Sequence, residues 1–172
     1  MLKVKALLKG GIALNEYQLR NAMETYGSTV YRLALCRMQS IPDAEDVYQD
    51  VFLSLFRQNT ADWDGEHTKA WLVRATLNRC ADLHRFRLRR PVVKLEELSE
   101  SLRSDQEALE LWAAVAALPE KLRVPIHLHY AEGYSTEEIA AMMGVPAATV
   151  RTRLYRARER LKTLLGGLED GT

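Results

Sequence analysis

Cysteine is scarce in this 172-residue chain: Cys36 and Cys80 are the only two, and neither stands in a CxxC or CxxH pair. That argues against a disulfide framework or a zinc finger and for two buried free thiols in a reducing compartment. Proline (5) and glycine (9) are too few for collagen-like or low-complexity sequence. Long apolar runs are missing: the basic stretch Met1-Leu2-Lys3-Val4-Lys5-Ala6-Leu7-Leu8-Lys9-Gly10 is broken by its lysines and is too short for a signal sequence or a membrane span. Residues 1–14 are therefore expected to form a loose leader, and the protein is expected to be cytoplasmic. Alternating β patterns and Asn-Gly hairpin signals are lacking as well. So are a phosphate-binding Walker loop, a nucleophile elbow and a His-Glu-x-x-His pair. His127 and His129 lie two apart, which turns them to different faces of a helix. The acids Asp43, Glu45, Asp46 and Asp50 come without the Gly-centred loop that calcium requires. The expectation is a protein that is not an enzyme, with no cofactor, no metal and no small-molecule substrate.

What the chain does contain is charge, and it is segregated. The 24 basic and 23 acidic residues nearly cancel to a formal +1, but arginines cluster at Arg85, Arg87, Arg89 and Arg90 and again at Arg151, Arg153, Arg156, Arg158 and Arg160. Acids gather at Asp43 to Asp50 and at Glu96 to Glu110. Local basic clusters are what phosphate binding needs, because each neutralised phosphate releases condensed counterions. A neutral total does not argue against a nucleic-acid partner.

Apolar residues recur at helical spacing nearly throughout, so the fold is expected to be all-α, in two small helical domains joined by a linker. Helices are predicted over residues 16–26 and 29–38, with a break at Gly27-Ser28; a third begins after Ser40-Ile41-Pro42-Asp43, where a Ser with an acid three residues on and an early Pro mark a start, and runs to about Phe56. Residues 58–67 should be a loop, and 68–88 a fourth helix that Pro91 ends. The first domain then covers residues 15–90, an acidic linker 91–105, the second domain 106–165 and a tail 166–172. Within the second domain, helices are predicted over 106–118, 120–131 (kinked at Pro125), 136–143 and 147–165.

The most specific feature is the run from Tyr134 to Arg151. Ser135 can cap a helix, with Glu138 three residues on completing a capping box; Ile139 and Met142 face inward, Ala140 permits close approach, and Gly144 supplies a left-handed turn. Val145 plugs the angle and Pro146 or Ala147 opens the next helix. This is the grammar of a helix-turn-helix. On the second helix Val150, Leu154, Ala157 and Leu161 fall on one side, while Ala148, Thr149, Thr152, Tyr155 and Arg156 face the other, flanked by Arg151, Arg153 and Arg158. Small and hydroxyl residues let such a helix sit deep in a major groove, where Arg156 has the reach for a bidentate guanine contact and the flanking arginines reach phosphates. The bland alternative is a solvated arginine-rich face.

On the third helix Ala44, Val47, Tyr48, Val51 and Leu55 form a buried stripe, leaving Asp46, Gln49, Asp50, Leu53 and Arg57 on the opposite side. An exposed Leu among acids and Gln suggests a protein-binding face; early acids that merely complement the helix dipole are the alternative. On the fourth helix Leu72, Thr76, Cys80 and Leu83 define the inner face, and Arg74, Asn78, Ala81 and Arg85 a second stripe.

The helix-turn-helix, with the upstream Leu118-Pro119-Glu120-Lys121-Leu122-Arg123 and His129-Tyr130-Ala131-Glu132-Gly133-Tyr134, resembles region four of the ECF-type sigma factors of bacterial RNA polymerase. Independently, Asp43 to Phe52 is similar to the acidic helix of region two, and Lys69 to Asp82 to its DNA-facing helix. The resemblance runs from about Tyr26 to Leu164 in the family's order. It implies a protein that binds core RNA polymerase, directs it to promoters and helps nucleate melting. The partners it implies are the clamp helices of the polymerase's largest subunit, the flap region of the second-largest, promoter DNA and an anti-sigma factor. By this resemblance Asp46, Gln49, Asp50, Leu53 and Arg57 would bind polymerase. Thr149, Arg151, Thr152, Arg153, Tyr155, Arg156 and Arg158 would read the minus-thirty-five duplex. Trp63, His67, Thr68, Trp71, Arg74, Asn78 and Arg85 would serve the minus-ten element and strand opening, which needs a basic track and surfaces that hold unstacked bases. Trp71 fits the core equally well.

Overall fold

The computed structural model describes residues 16–60, 62–87 and 106–166, in which seven helices follow one another and no strand occurs. The expected leader, the linker and the tail beyond Gly166 lie outside the described residues.

The first helix, α1 (Glu16–Met38), is continuous where the sequence predicts two. Gly27 reads locally as a break because glycine costs a helix about 1 kcal/mol. Here it is buried inside the helix, and a Cβ at this position would come within 2.9 Å of Tyr48 Oη. Glycine at Gly27 thus permits close approach of the neighbouring helix, and burial of Val30, Leu33 and Ala34 on the next turns carries the helix onward. Gln39 ends it with a left-handed backbone (φ 51°).

The second helix, α2 (Ile41–Phe56), starts as predicted: Ser40 Oγ accepts the Asp43 N–H at 3.4 Å, and a proline occupies the first turn. Its buried side holds Ala44, Val47, Val51 and Leu55, and also Phe52 and Phe56, with Tyr48 half-buried. The third helix, α3 (Gly65–Arg87), begins earlier than Thr68, because the Asp64 carboxylate accepts the His67 N–H at 2.7 Å and so caps the helix upstream. Leu72, Thr76, Cys80 and Leu83 are buried, as their spacing predicts; the Thr76 hydroxyl is satisfied by donating to the Leu72 carbonyl at 2.7 Å.

Four helices make up the second half: α4 (Gln106–Ala116), α5 (Glu120–Tyr130), α6 (Thr136–Met143) and α7 (Ala147–Gly166). Helix α5 runs through Pro125. Two apolar cores result. The first joins α1, α2 and α3 around Val30, Val47, Val51, Phe52, Leu55 and Leu72. The second joins α4 to α7 around Leu118, Leu122, Leu128, Ile139, Val150 and Leu154, and it also contains Leu33, Val73 and Leu77 from the first half. Each fully buried side chain of this size contributes roughly 1.5–3 kcal/mol.

Polar groups complete the seam between the halves. Arg123, buried on α5, donates to the backbone carbonyls of Cys36, Leu118 and Arg37. Arg37 of α1 pairs with Glu120 at 3.0 Å and donates to the Leu77 carbonyl at 2.8 Å. The side chain of Glu132, between α5 and α6, is only 3% exposed and lies between Lys69 of α3 at 3.5 Å and Arg32 of α1 at 3.7 Å. Thr29 donates its hydroxyl to the same carboxylate at 3.0 Å.

Candidate nucleic-acid interface

The residues from Ser135 to Ala147 fold as the local chemistry dictates. Ser135 Oγ accepts the Glu138 N–H at 3.2 Å, and the Glu138 carboxylate accepts the Ser135 N–H at 2.8 Å. That reciprocal box holds the Glu138 carboxyl below the usual carboxylate range, the Ser135 backbone bond being the main cause. Gly144 adopts φ 64°, ψ 37°, and its N–H returns to the Ala140 carbonyl. Val145 is half-buried against the second core, and Ala147 opens α7.

Helix α7 buries Val150, Leu154 and Ala157 and packs Leu161 against the same core. Its outer side is thereby presented to solvent. Arg151, Thr152, Tyr155, Arg156 and Arg158 are exposed, whereas Thr149 and Arg153 are half-buried. Tyr155 keeps 60% of its surface open. The Thr152 hydroxyl donates to the Ala148 carbonyl at 3.0 Å, which leaves its lone pairs outward. Arg151 is drawn to Glu137 of α6 at 3.3 Å, an exposed and therefore weak pair. Arg158 donates to Tyr130 Oη at 3.1 Å, which places it on the flank facing α5 and apart from Thr152 and Arg156.

A second group sits on α3 and the turn before it. Trp63 stacks on His67 with ring centroids 4.6 Å apart and meets Trp71 at 5.6 Å. Both tryptophans are half-buried against the first core, so Trp71 is at once core and rim. His67 and Thr68 lie in the first turn of α3 and not in a loop. Arg74, Asn78 and Arg85 are exposed along one side of that helix, with Ala81 half-buried between them. Arg85 is held by Asp82 at 2.6 Å. The continuation of this track at Leu88, Arg89 and Arg90 lies outside the described residues.

On α2 Asp46 and Gln49 are exposed, and so is Arg57 at its C-cap, as their spacing predicts. Leu53 is half-buried, which corrects the expectation of an exposed Leu: Phe52 and Phe56 widen the buried stripe and draw it in. Asp50 is tied to Arg79 of α3 at 2.6 Å.

Sequence reasoning passed over Lys69, whose ammonium lies 5.2 Å from the centre of the Tyr134 ring and 3.1 Å from the Glu132 carbonyl. It also passed over a groove of about 890 Å³ on the second half, lined by Leu111, Trp112, Ile126 and Leu161 with Arg32 and Lys162. No periodicity could mark either, since both depend on residues from distant helices. His127 forms one wall of the groove, parallel to Trp112 at 6.1 Å. Burial pushes its pKa down to about 4, so the 3.6 Å approach to Glu132 is that of a neutral imidazole to a carboxylate. His129 turns away and donates Nδ1–H to the Tyr134 carbonyl at 2.8 Å. Among the described residues no cluster of three His, Cys, Asp or Glu side chains could hold a metal, and no helix is long and apolar enough to cross a membrane. Cys36 and Cys80 are free and buried, with burial raising both thiols to about 12.

Two family patterns match this chain: Sigma-70 region 2 over residues 22–90, and Sigma-70, region 4 over residues 108–161. The ECF RNA polymerase sigma factor SigM of Mycobacterium tuberculosis is 30% identical over 168 residues, which cover 96% of this chain and 86% of the relative. The ECF RNA polymerase sigma-E factor of Escherichia coli is 31% identical over 137 residues, 69% of this chain and 72% of the relative. Among solved structures, the sigma factor RpoE of Bartonella quintana, in complex with the anti-sigma factor NepR, superimposes with a TM-score of 0.68 at 23% identity, over 86% of this chain and 96% of that one. CnrH, in complex with the cytosolic domain of CnrY, does so with a TM-score of 0.61 at 27% identity, over 89% and 90%.

Proposed function

This chain belongs to the ECF RNA polymerase sigma factors, promoter-specific initiation factors and not enzymes, and from that premise we propose how its parts divide the work. Residues 15–90 form a region-two domain and residues 106–165 a region-four domain. Helix α7 enters the major groove of the minus-thirty-five element: Thr152, Tyr155 and Arg156 meet base edges, and Arg151, Arg153 and Arg158 meet phosphates, with Thr149 at the helix entry. The observation that carries this reading is the two-sidedness of α7, with Val150, Leu154 and Ala157 buried and Thr152, Tyr155 and Arg156 opposite them in solvent.

The turn and helix built from Trp63, His67, Thr68, Trp71, Arg74, Asn78 and Arg85 follow the minus-ten strand once it opens. The paired tryptophans supply a face on which an unstacked base rests, and the arginines a track for phosphates. Asp46, Gln49 and Arg57 of α2, with the edge of Leu53 and the Asp50–Arg79 pair, dock on the clamp helices of the polymerase's largest subunit. The groove between α4, α5 and α7 receives the flap region of the second-largest subunit: its walls are mostly apolar, with Arg32, Arg158 and Lys162 among the lining residues. An anti-sigma factor is a further partner, as the solved complexes of RpoE and CnrH suggest by likeness, and the working compartment is the cytoplasm.

The test is reconstitution with core polymerase. The chain is expected to co-elute with core polymerase and to make initiation depend on a specific promoter. A chain that forms no complex with core polymerase, or that leaves initiation unchanged, would sink the proposal.

A further inference from the structure

We propose that the groove between α4, α5 and α7 also binds a small molecule, a linear aliphatic carboxylate, with its chain along the apolar walls and its headgroup held by Arg158 and Tyr130. The binding itself stands on geometry and chemistry; its consequence, competition with polymerase for the groove, rests on the function proposed above.

The walls come from three helices. Leu111 and Trp112 of α4, Ile126 of α5, and Leu161 and Leu165 of α7 border about 890 Å³, within the roughly 300–1,000 Å³ of small-molecule sites. Leu111 is left 49% exposed, so apolar area remains there for a ligand to cover. His127 adds no charge to the wall it forms, because burial pushes its pKa down to about 4 and the ring is neutral near pH 7. An aliphatic chain laid along this surface exchanges water for side chains of its own kind.

The charged residues of the described lining are all basic: Arg32, Arg158 and Lys162. Two of them already face acids. Arg32 meets Glu132 at 3.7 Å, and Lys162 meets Glu159 at 3.0 Å. Arg158 instead donates from Nη1 to a neutral phenol, Tyr130 Oη, at 3.1 Å. A guanidinium carries five N–H groups in a fixed fork, so most of them are left for a further acceptor, and a phenol that accepts one bond keeps its own O–H to donate. Both side chains are exposed and both line the groove. Together they form a clasp with two kinds of donor, matched to the two oxygens of a carboxylate.

Magnitudes divide the work between the two ends of the ligand. An ion pair at an exposed position is weak, so the headgroup supplies selectivity: an ammonium is repelled by the three basic residues, and an alcohol leaves the Arg158 fork unanswered. Affinity comes from the chain, each buried methylene tightening binding by about threefold to fourfold. A groove filled in this way has no apolar wall left for the flap region.

Isothermal titration calorimetry of the full chain with octanoate, decanoate and dodecanoate, each below its micelle concentration, tests the site. A single equivalent is expected to bind, with affinity rising about threefold to fourfold per added methylene and a negative heat-capacity change. Decanol and decylamine are expected to bind about tenfold more weakly than decanoate. Tyr130→Phe should weaken decanoate binding about threefold and Arg158→Gln about tenfold, with decanol binding unchanged in both. Leu111→Asp, which places a like charge on the wall, should abolish decanoate binding. All three substitutions are at exposed positions, and circular dichroism checks that the helices persist. Absence of saturable binding, an affinity indifferent to chain length, decanol bound as tightly as decanoate, or full decanoate affinity in folded Leu111→Asp overturns the site. Saturating decanoate is then expected to lower the apparent affinity for core polymerase. An unchanged polymerase affinity overturns the competition. A chain that binds decanoate but no polymerase removes the proposed function and leaves the carboxylate site standing.

Discussion

His127 shows how much the setting of one side chain changes what it does. Read as a sequence position it is one of two histidines near the end of a helix; in the fold it is buried against Trp112 and its pKa is pushed down to about 4 from an ordinary 6.5. Below pH 6.5 the unfolded chain takes up a proton that the folded protein refuses until about pH 4. The stabilisation is therefore full above pH 6.5 and is lost as pH falls toward 4, on the order of 3 kcal/mol across the window. Urea midpoints measured between pH 7 and 5 are expected to fall in the native protein and to fall less in His127→Asn. Arg156 is the opposite case, exposed and without a structural duty on α7. Arg156→Ala should leave stability within about 0.5 kcal/mol and cost about 1–3 kcal/mol of discrimination between the cognate minus-thirty-five duplex and a scrambled one, read by competition binding.

At the scale of the element, caps and turns were legible wherever the chemistry is local. Ser40, Ser135, Glu138 and Gly144 act as their types and spacing predict. Replacing Ser135 with Ala should cost about 1 kcal/mol, seen as a lower melting temperature together with weaker binding to the minus-thirty-five duplex. The Glu138 half of the box contributes above its ordinary pKa of 4.5 and is lost as pH falls through its depressed folded value. Element boundaries failed where a distant residue decided them. Gly27 signals a break by propensity, but in the fold the Tyr48 hydroxyl of α2 lies against the place a Cβ would take. Asp64 reads as loop, yet its carboxylate turns it into a cap and brings His67 and Thr68 into α3. Leu53 reads as exposed when the stripe is drawn through Ala44, Val47, Tyr48, Val51 and Leu55 alone; Phe52 and Phe56, which continue the four-residue steps from Ala44 and Tyr48, widen it toward Leu53.

At the scale of the molecule, the second core borrows Leu33, Val73 and Leu77 from α1 and α3, so these two helices are buried on two sides. The halves are then expected to unfold together. Trp63 and Trp71 report on the first half and Trp112 on the second. Fluorescence denaturation of Trp112→Phe and of the Trp63→Phe/Trp71→Phe double variant should give midpoints that coincide once each variant's own stability is allowed for. Adding Leu33→Ala, at a cost of about 2–5 kcal/mol, should lower both midpoints together. Two separated transitions, with only one moved by Leu33→Ala, would contradict a shared core.

The sequence by itself determined the helical class, the helix-turn-helix with its cap and glycine, and the outward residues of α7, because each rests on contacts within a few positions of the chain. The tertiary structure alone decided that α1 is one helix, that Asp50 is tied to Arg79, and that Arg123, Glu132 and Lys69 join the halves. Those partners lie 29 to 87 positions apart. A period of 3.6 residues records which side of a helix is apolar; it carries no record of which distant helix meets that side, or of which charge is buried there.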